Sequence, residues 1–329
     1  MRTDCTNLQL VFGNHYASGT TESSNANAII IEAAIEYNSQ ITRVHFDGEA
    51  QKKLSQGGMA ITDPILRNIP KGATFQVRTW VSVEVDGVGT IPEHLLMEET
   101  GDGKATGNVV NSTGGITAAP TEKGYGPSAI IGIPDSDDAV AVGLIGDSIV
   151  AYANGKGWPV DLVEPDYGYI IMSRPTSTAA TMESNSGNVY RLRYAQFLTH
   201  AIVNFGTNDF NGTEAFDPIW TRMQVLWKRL QAVGLQVYHS TTMPRSTSSD
   251  SWTTRAGQTK VTANSYDAKR KMFNSKLQGA SQGLGVKVLD VASLVEAENA
   301  GIWLPGFTDD GIHPLQAAKD AILAQIKIE

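Results

Sequence analysis

From about residue 137 onward, short apolar runs alternate with amphipathic helical patterns, and nothing else in the sequence limits the fold so strongly. The runs are Ala139–Ile145, Tyr169–Met172, Ala201–Phe205, Leu235–His239 and Val286–Val291, each bounded by turn residues as buried strands are. Between them, Ile219, Met223, Leu226, Trp227, Leu230 and Val233 recur at three- and four-residue steps and build one apolar helix face. Gly234 stands where a helix C-terminal glycine belongs, and residues 261–282 and 314–327 also read as helices. Such alternation predicts a parallel sheet covered by helices on both faces. In sheets of this kind the reactive centre lies beyond the carboxyl ends of the strands.

The first hundred residues have a different texture. Alternating or β-branched runs at Ala28–Glu36, Ile41–Asp47 and Thr74–Val85 are punctuated by Asp47-Gly48, Gly57-Gly58, Pro70-Lys71-Gly72 and Asp86-Gly87. They predict a small sandwich or jelly-roll-like module, or a β-rich extension of the main domain. Residues 101–136 are rich in Gly, Thr and Ser and read as a linker or functional loop. Two parts are therefore expected, 1–136 and 137–329.

Hydrophobic residues make up 41% of the chain and charged residues 18%, enough apolar material for a core and unlike the composition of disorder. The net charge of −8 argues against a nucleic-acid partner. The only cysteine is Cys5, which excludes an intrachain disulfide and any cysteine-built zinc site. The apolar runs, Ala28–Ile31 and Ile149–Ala153 among them, are too short to span a bilayer, so a soluble chain without a membrane partner is expected. The first residues lack an apolar signal region, and the compartment stays open, secreted or cytoplasmic.

Three short segments fall where strand ends or helix starts should be: Gly146-Asp147-Ser148, Gly206-Thr207-Asn208-Asp209 and Asp310-Gly311-Ile312-His313-Pro314. They are far apart in sequence, so only folding could unite them. Together they hold what acyl transfer requires. A serine hydroxyl needs a neighbouring base to become a nucleophile, and His313 is of the type that titrates near neutrality. Asp310, three residues earlier, is close enough to accept the imidazole Nδ1 hydrogen and fix the tautomer. Asn208 would offer a side-chain N–H to a developing oxyanion, joined by the backbone N–H of Ser148, and losing one such donor typically costs about 3–4 kcal/mol of barrier. Trp303 and Trp252 offer flat rings that suit pyranose faces, and Arg174 and Arg245 could meet an acidic substituent. There is no Gly-x-Ser-x-Gly elbow, no P-loop frame around Gly155-Lys156, and no His-Glu-x-x-His metal motif.

In these segments the sequence resembles the SGNH (GDSL-like) hydrolase family. Gly146-Asp147-Ser148-Ile149 is similar to its first block, Gly206-Thr207-Asn208-Asp209 to its third and Asp310-Gly311-Ile312-His313 to its fifth. The likeness covers about residues 138–329. It implies a three-layer α/β/α sandwich around a five-stranded, flavodoxin-like parallel sheet. It also implies hydrolysis of esters, often acetyl groups on carbohydrates, without metal or cofactor. The second block departs from the pattern: Thr176 stands where the family carries an oxyanion-hole glycine. A threonine N–H serves as well if its φ is ordinary, whereas a positive φ would strain a β-branched residue. The β-rich first part is also similar to modules that accompany carbohydrate-directed members. The expected substrate is an acylated small molecule or glycan. Three alternatives are a degenerate glycan-binding protein, a lipase or thioesterase on the same scaffold, and a part of a larger assembly held by the first module.

Overall fold

In the computed structural model of the chain, the five expected strands form one parallel sheet. Its order is Gly168–Ile171, Ala141–Gly146, His200–Asn204, Gln236–Ser240, Val286–Leu289. The structure describes residues 4–84, 88–92, 95–96, 102–112, 116–118, 123–151, 157–183 and 189–328. Val85, Asp86-Gly87, Gly101, Ala153 and Gly155-Lys156 of the segments above, and parts of the 101–136 stretch, lie outside the described residues. The chain runs from Ala141–Gly146 to one edge strand and then crosses back to His200–Asn204. The topological switch point, where such sheets open a crevice, thus lies between those two strands.

Strand side chains alternate between the faces. Val142, Leu144, Ile202, Tyr238 and Leu289 enter one apolar layer with Trp158, Val295 and Ile322, which come from the helices Trp158–Val163, Ala292–Val295 and Gln316–Leu323. On the other face His239 meets Trp227 and Phe273, from the helices Phe216–Ala232 and Tyr266–Leu284. The result is the three-layer α/β/α sandwich.

The predicted apolar helix face is buried except at its end, where Val233 is 54% exposed. Gly234 follows at a φ of +89°, ending the helix in the left-handed region. The next long helix starts at Tyr266 rather than near 261, because Asn264 and Ser265 hold φ values of 52° and 57° that no continuing helix adopts. The last helix, Gln316–Leu323, is shorter than 314–327 because Leu315 is extended.

Contacts divide the chain into two units, Met1–Ala139 and Val140–Glu329. The first is built of antiparallel strands. Cys5–Gly13 pairs with Ala129–Pro134 and Met59–Ile61, while Ile29–Tyr37 pairs with Gln40–Arg43, Lys52–Leu54 and Gln76–Val83. Leu10 and Phe12 of the first sheet and Ile29, Ile31 and Ile35 of the second share one core, which makes this unit a sandwich. Among the described residues no helix is long and apolar enough to cross a membrane.

One buried charge cluster ties the second unit together. The Arg270 guanidinium, fully buried, donates to both carboxylate oxygens of Glu296 at 2.7 and 2.8 Å and to Asp267 at 2.8 Å. Lys260 and Lys271 also pair with Asp267, so Glu296 depends most on the arginine. Removing one partner of such a pair leaves an uncompensated charge and costs about 3–5 kcal/mol. Arg270→Met is therefore expected to lower unfolding free energy by that order in urea titration, and Arg270→Met/Glu296→Met to recover a large part of it.

Candidate active site

Each of the three segments sits at the carboxyl edge of the sheet. Gly146 ends the first strand so close to its neighbour that a Cβ there would lie 2.4 Å from the Asn204 carbonyl, which explains the glycine. The chain then turns, with the amides of Val150 and Ala151 bonded to the Asp147 carbonyl at 3.2 and 3.0 Å. This turn leaves Ser148 partly exposed at the rim. Its backbone N–H makes no hydrogen bond among the described residues.

The Asp310–His313 segment closes on Ser148 from the far end of the chain. Asp310 Oδ1 accepts the amides of Ile312 and His313 at 2.7 and 2.8 Å, a local turn that aims its Oδ2 at His313 Nδ1, 2.6 Å away. His313 Nε2 then lies 2.8 Å from Ser148 Oγ. Burial would raise the Asp310 carboxyl, but the His313 side chain and the two amides outweigh it and hold it below the usual carboxylate range. The carboxyl thus stays ionised as an acceptor for the imidazole hydrogen.

The segment is pinned at Gly311. Its carbonyl accepts the Ser246 amide at 3.1 Å and the Trp303 indole Nε1 at 3.0 Å. Its φ is +77° and a Cβ would meet the Ser246 carbonyl at 1.8 Å, so no other residue fits. Trp303 is thereby corrected: it is wholly buried and braces the His313 segment from inside the core, so its ring cannot lie against a sugar. Trp252 stays partly exposed on the hairpin formed by Ser246–Ser248 and Gln258–Lys260. Its Nε1 donates to Ser246 Oγ at 3.0 Å, and its ring edge lies against Gly311. Arg174 is partly buried in the second-block turn, its amide bonded to the Gly146 carbonyl at 3.2 Å.

Asn208 opens the short helix Thr207–Asn211, and both of its amide hydrogens are engaged. Nδ2 donates to Asp147 Oδ2 at 3.2 Å and to the Ser177 carbonyl at 3.1 Å. The sequence reading assigned these hydrogens to an oxyanion and missed the two protein acceptors. It also missed what holds the blocks together, the carboxyls of Asp147 and Asp209. Asp147 Oδ1 accepts the Ile149 amide at 2.9 Å; Asp209 accepts the amides of Ala179 and Gly206 at 2.8 and 3.1 Å. Burial pushes Asp147 up to about 7, with the Ile149 amide opposing the rise and Asp209 adding to it. Burial lifts Asp209 to about 6 against its own amide donors. The available signal was an aspartate inside each of two apolar-flanked motifs.

Thr176 carries a φ of +63°. It follows Pro175, and the Ser177 amide bonds the Arg174 carbonyl at 3.2 Å, the signature of a type II turn whose third residue favours glycine. The strained alternative is the one realised. The Ser177 contact with Asn208 brings this turn beside the third block.

The family model described as GDSL-like lipase/acylhydrolase matches residues 144–321. Among solved structures, the chain is similar to a GDSL-like lipase from Bacteroides thetaiotaomicron, with 18% identity, 56% of this chain and 84% of that one covered, and a TM-score of 0.42. A member of the lipolytic G-D-S-L family from Veillonella parvula shares 15% identity over 56% of this chain and 95% of that one, at a TM-score of 0.39. The Bacillus subtilis protein YXIM shares 15% identity over 98% of this chain and 77% of that one, at 0.43. No curated protein matches the chain.

Two outcomes are expected from this geometry. A β-branched residue at positive φ costs about 1–2 kcal/mol, part of which glycine loses again through its freer unfolded state. Thr176→Gly should therefore raise unfolding free energy by about 0.5–1 kcal/mol, read from thermal and urea melts. Asp147 and Asp209 have folded values raised above those of the unfolded chain. Between about pH 4 and pH 7 the folded protein holds more of their protons, so their contribution to stability falls as pH rises through that window. Relative to wild type, Asp147→Asn should thus gain on passing from pH 4.5 to 8 by more than about 1 kcal/mol, roughly one pKa unit. A difference independent of pH would refute the assignment.

Proposed function

The chain belongs to the GDSL-like lipase/acylhydrolase family and is an ester hydrolase, and on that premise we propose that it is a serine esterase removing short acyl groups, acetyl above all, from carbohydrate. The observation that carries the reading is the continuous chain Asp310 Oδ2, His313 Nδ1, His313 Nε2, Ser148 Oγ, with links of 2.6 and 2.8 Å. Ser148 Oγ attacks the acyl carbon while His313 Nε2 takes its proton, and Asp310 stabilises the imidazolium that results. The tetrahedral oxyanion is met by the N–H groups of Ser148 and Thr176 and by Asn208 Nδ2. The Asn208 contacts of 3.1 and 3.2 Å are at the long end of the hydrogen-bond range, which favours sharing a hydrogen with a fully charged oxygen. The alcohol leaves with the proton from His313. Water then adds to the acyl-enzyme, giving its proton to His313, and the collapse releases the carboxylic acid and restores Ser148 Oγ–H.

A short acyl group is favoured by the polar groups joined at the nucleophile segment: His313 on Ser148 Oγ, Asp310 on His313, and Asn208 on Asp147 and the Ser177 carbonyl. A carbohydrate alcohol is favoured by the partly exposed Trp252 ring beside the His313 segment, with Arg174 on the second-block side. The strain at Thr176 favours the other reading, a glycan-binding protein that no longer turns over, while the 2.8 Å Ser148–His313 contact weighs against it.

Hydrolysis of p-nitrophenyl acetate, butyrate and octanoate decides between them. Wild type is expected to prefer acetate, and Ser148→Ala to lose at least about 10³-fold in kcat while keeping its melting temperature. Equal rates in both proteins would remove Ser148 from the role. A folded wild type without activity would favour the binding protein.

A further inference from the structure

Arg245 is linked through its neighbours to both halves of the site. It follows the fourth strand of the sheet by a few residues and precedes Ser246, whose amide holds the Gly311 carbonyl of the His313 segment at 3.1 Å. Its own carbonyl accepts the Val261 amide at 2.9 Å, so the backbone is fixed on both sides. The guanidinium is partly buried and rests 5.9 Å from the centre of the Tyr266 ring. That ring is wholly buried and packs edge-on against Phe210, two residues after Asn208, at 6.4 Å between centroids. Tyr266 also lies within electrostatic reach of Asp147, the neighbour of the nucleophile.

Several other arginines are paired with an anion; among the described residues this one is not. Arg270 has Asp267 and Glu296, Arg222 has Glu214, Arg78 has Glu36, Arg43 has Glu32 and Arg255 has Glu298. Arg245 makes neither an ion pair nor a side-chain hydrogen bond among the described residues; its partner there is an aromatic face. Asp267, one residue past Tyr266, is already shared by Arg270, Lys260 and Lys271. In a chain of net charge −8, a permanently charged fork is thus held over the Tyr266 ring with none of its donors bonded among the described residues. Such a fork matches a carboxylate in two-point geometry.

We propose that Arg245 is a specificity-determining residue, and that the alcohol half of the substrate is an acidic sugar whose carboxylate it binds. This rests on the serine-esterase reading above and narrows its substrate to acetylated uronate-type glycans.

The test compares an O-acetylated oligouronide with its carboxyl-reduced, neutral counterpart, reading acetate release as kcat/KM. The ratio of anionic to neutral substrate is taken within each protein, so a general loss of activity cancels. Wild type should favour the acidic substrate. The ratio should fall about 10- to 100-fold in Arg245→Gln, through KM, the range expected for one charged hydrogen-bonding pair, and be partly restored in Arg245→Lys. An unchanged ratio in Arg245→Gln would overturn the assignment while leaving the esterase intact. A second arm needs no turnover: calorimetric titration of Ser148→Ala, with and without Arg245→Gln, by the deacetylated oligouronide and its reduced form. Binding of the acidic form alone, lost with Arg245, supports the inference; equal binding of both forms, or none of either, overturns it. If wild type cleaves neither ester, the esterase reading fails and the titration alone decides Arg245.

Discussion

The carbonyl of Gly311 accepts two hydrogen bonds, one from the Ser246 amide and one from the Trp303 indole, and the position of His313 depends on both. The base belongs to no strand or helix; it sits on a turn two residues past this glycine. A turn on a sheet edge has no ladder to fix it, so its geometry must come from elsewhere. Here it comes from the core. Trp303 is bound through its own amide and carbonyl to the Gln258 side chain, at 3.0 Å each, and Gln258 is in turn bonded to Ser246 Oγ at 3.1 Å. Hairpin, indole and glycine therefore form one closed polar network around a wholly buried ring. A network whose members are all satisfied holds its geometry without leaving a buried group unpaired.

The nucleophile side is held by a different device. Asp147 and Asp209 spend their oxygens on amides from three blocks, and a carboxylate can do this for several donors at once. The cost is desolvation, visible in the raised values of both groups. Since Asn208 is held by the Asp147 oxygen, the charge on that carboxyl also bears on how firmly the amide is held. An ionised Asp147 orients it strongly, and a protonated one holds it less.

Much of this architecture was legible in the sequence, for a physical reason. Buried parallel strands are short apolar runs, and the residues that turn the chain at their ends are few in kind. Gly146, Ser148, Asn208, Asp310 and His313 could therefore be read from three local patterns taken together and in order. Trp303 could not. Its burial is decided by Gln258, and by pairing with Glu296 across a loop, contacts no local window contains. The engagement of Asn208 by Asp147 and Ser177 was hidden for the same reason, since each link spans thirty residues or more. At Thr176 the sequence posed the question and only the backbone could answer it.

Strain in the second unit gathers near this edge, and the way it is offset indicates what it serves. Ser251 and Trp252 both hold a φ of 57°, in the left-handed region that residues with a Cβ adopt rarely. Ser248 Oγ accepts the amides of Asp250 and Trp252 at 3.1 and 2.8 Å, and the Asp250 carboxylate gathers Thr254 and Ser248 hydroxyls, which hold it down at about 2. So many side-chain bonds spent on one hairpin tip offset the backbone strain and fix a single side chain, the Trp252 indole, over Gly311. The indole also belongs to the hairpin's own network, its Nε1 donating to Ser246 Oγ at 3.0 Å. On the reading proposed above, the same ring would present a rigid flat surface beside the base, and Arg245 at the foot of the hairpin, which pairs with no anion among the described residues, would add a charge to it.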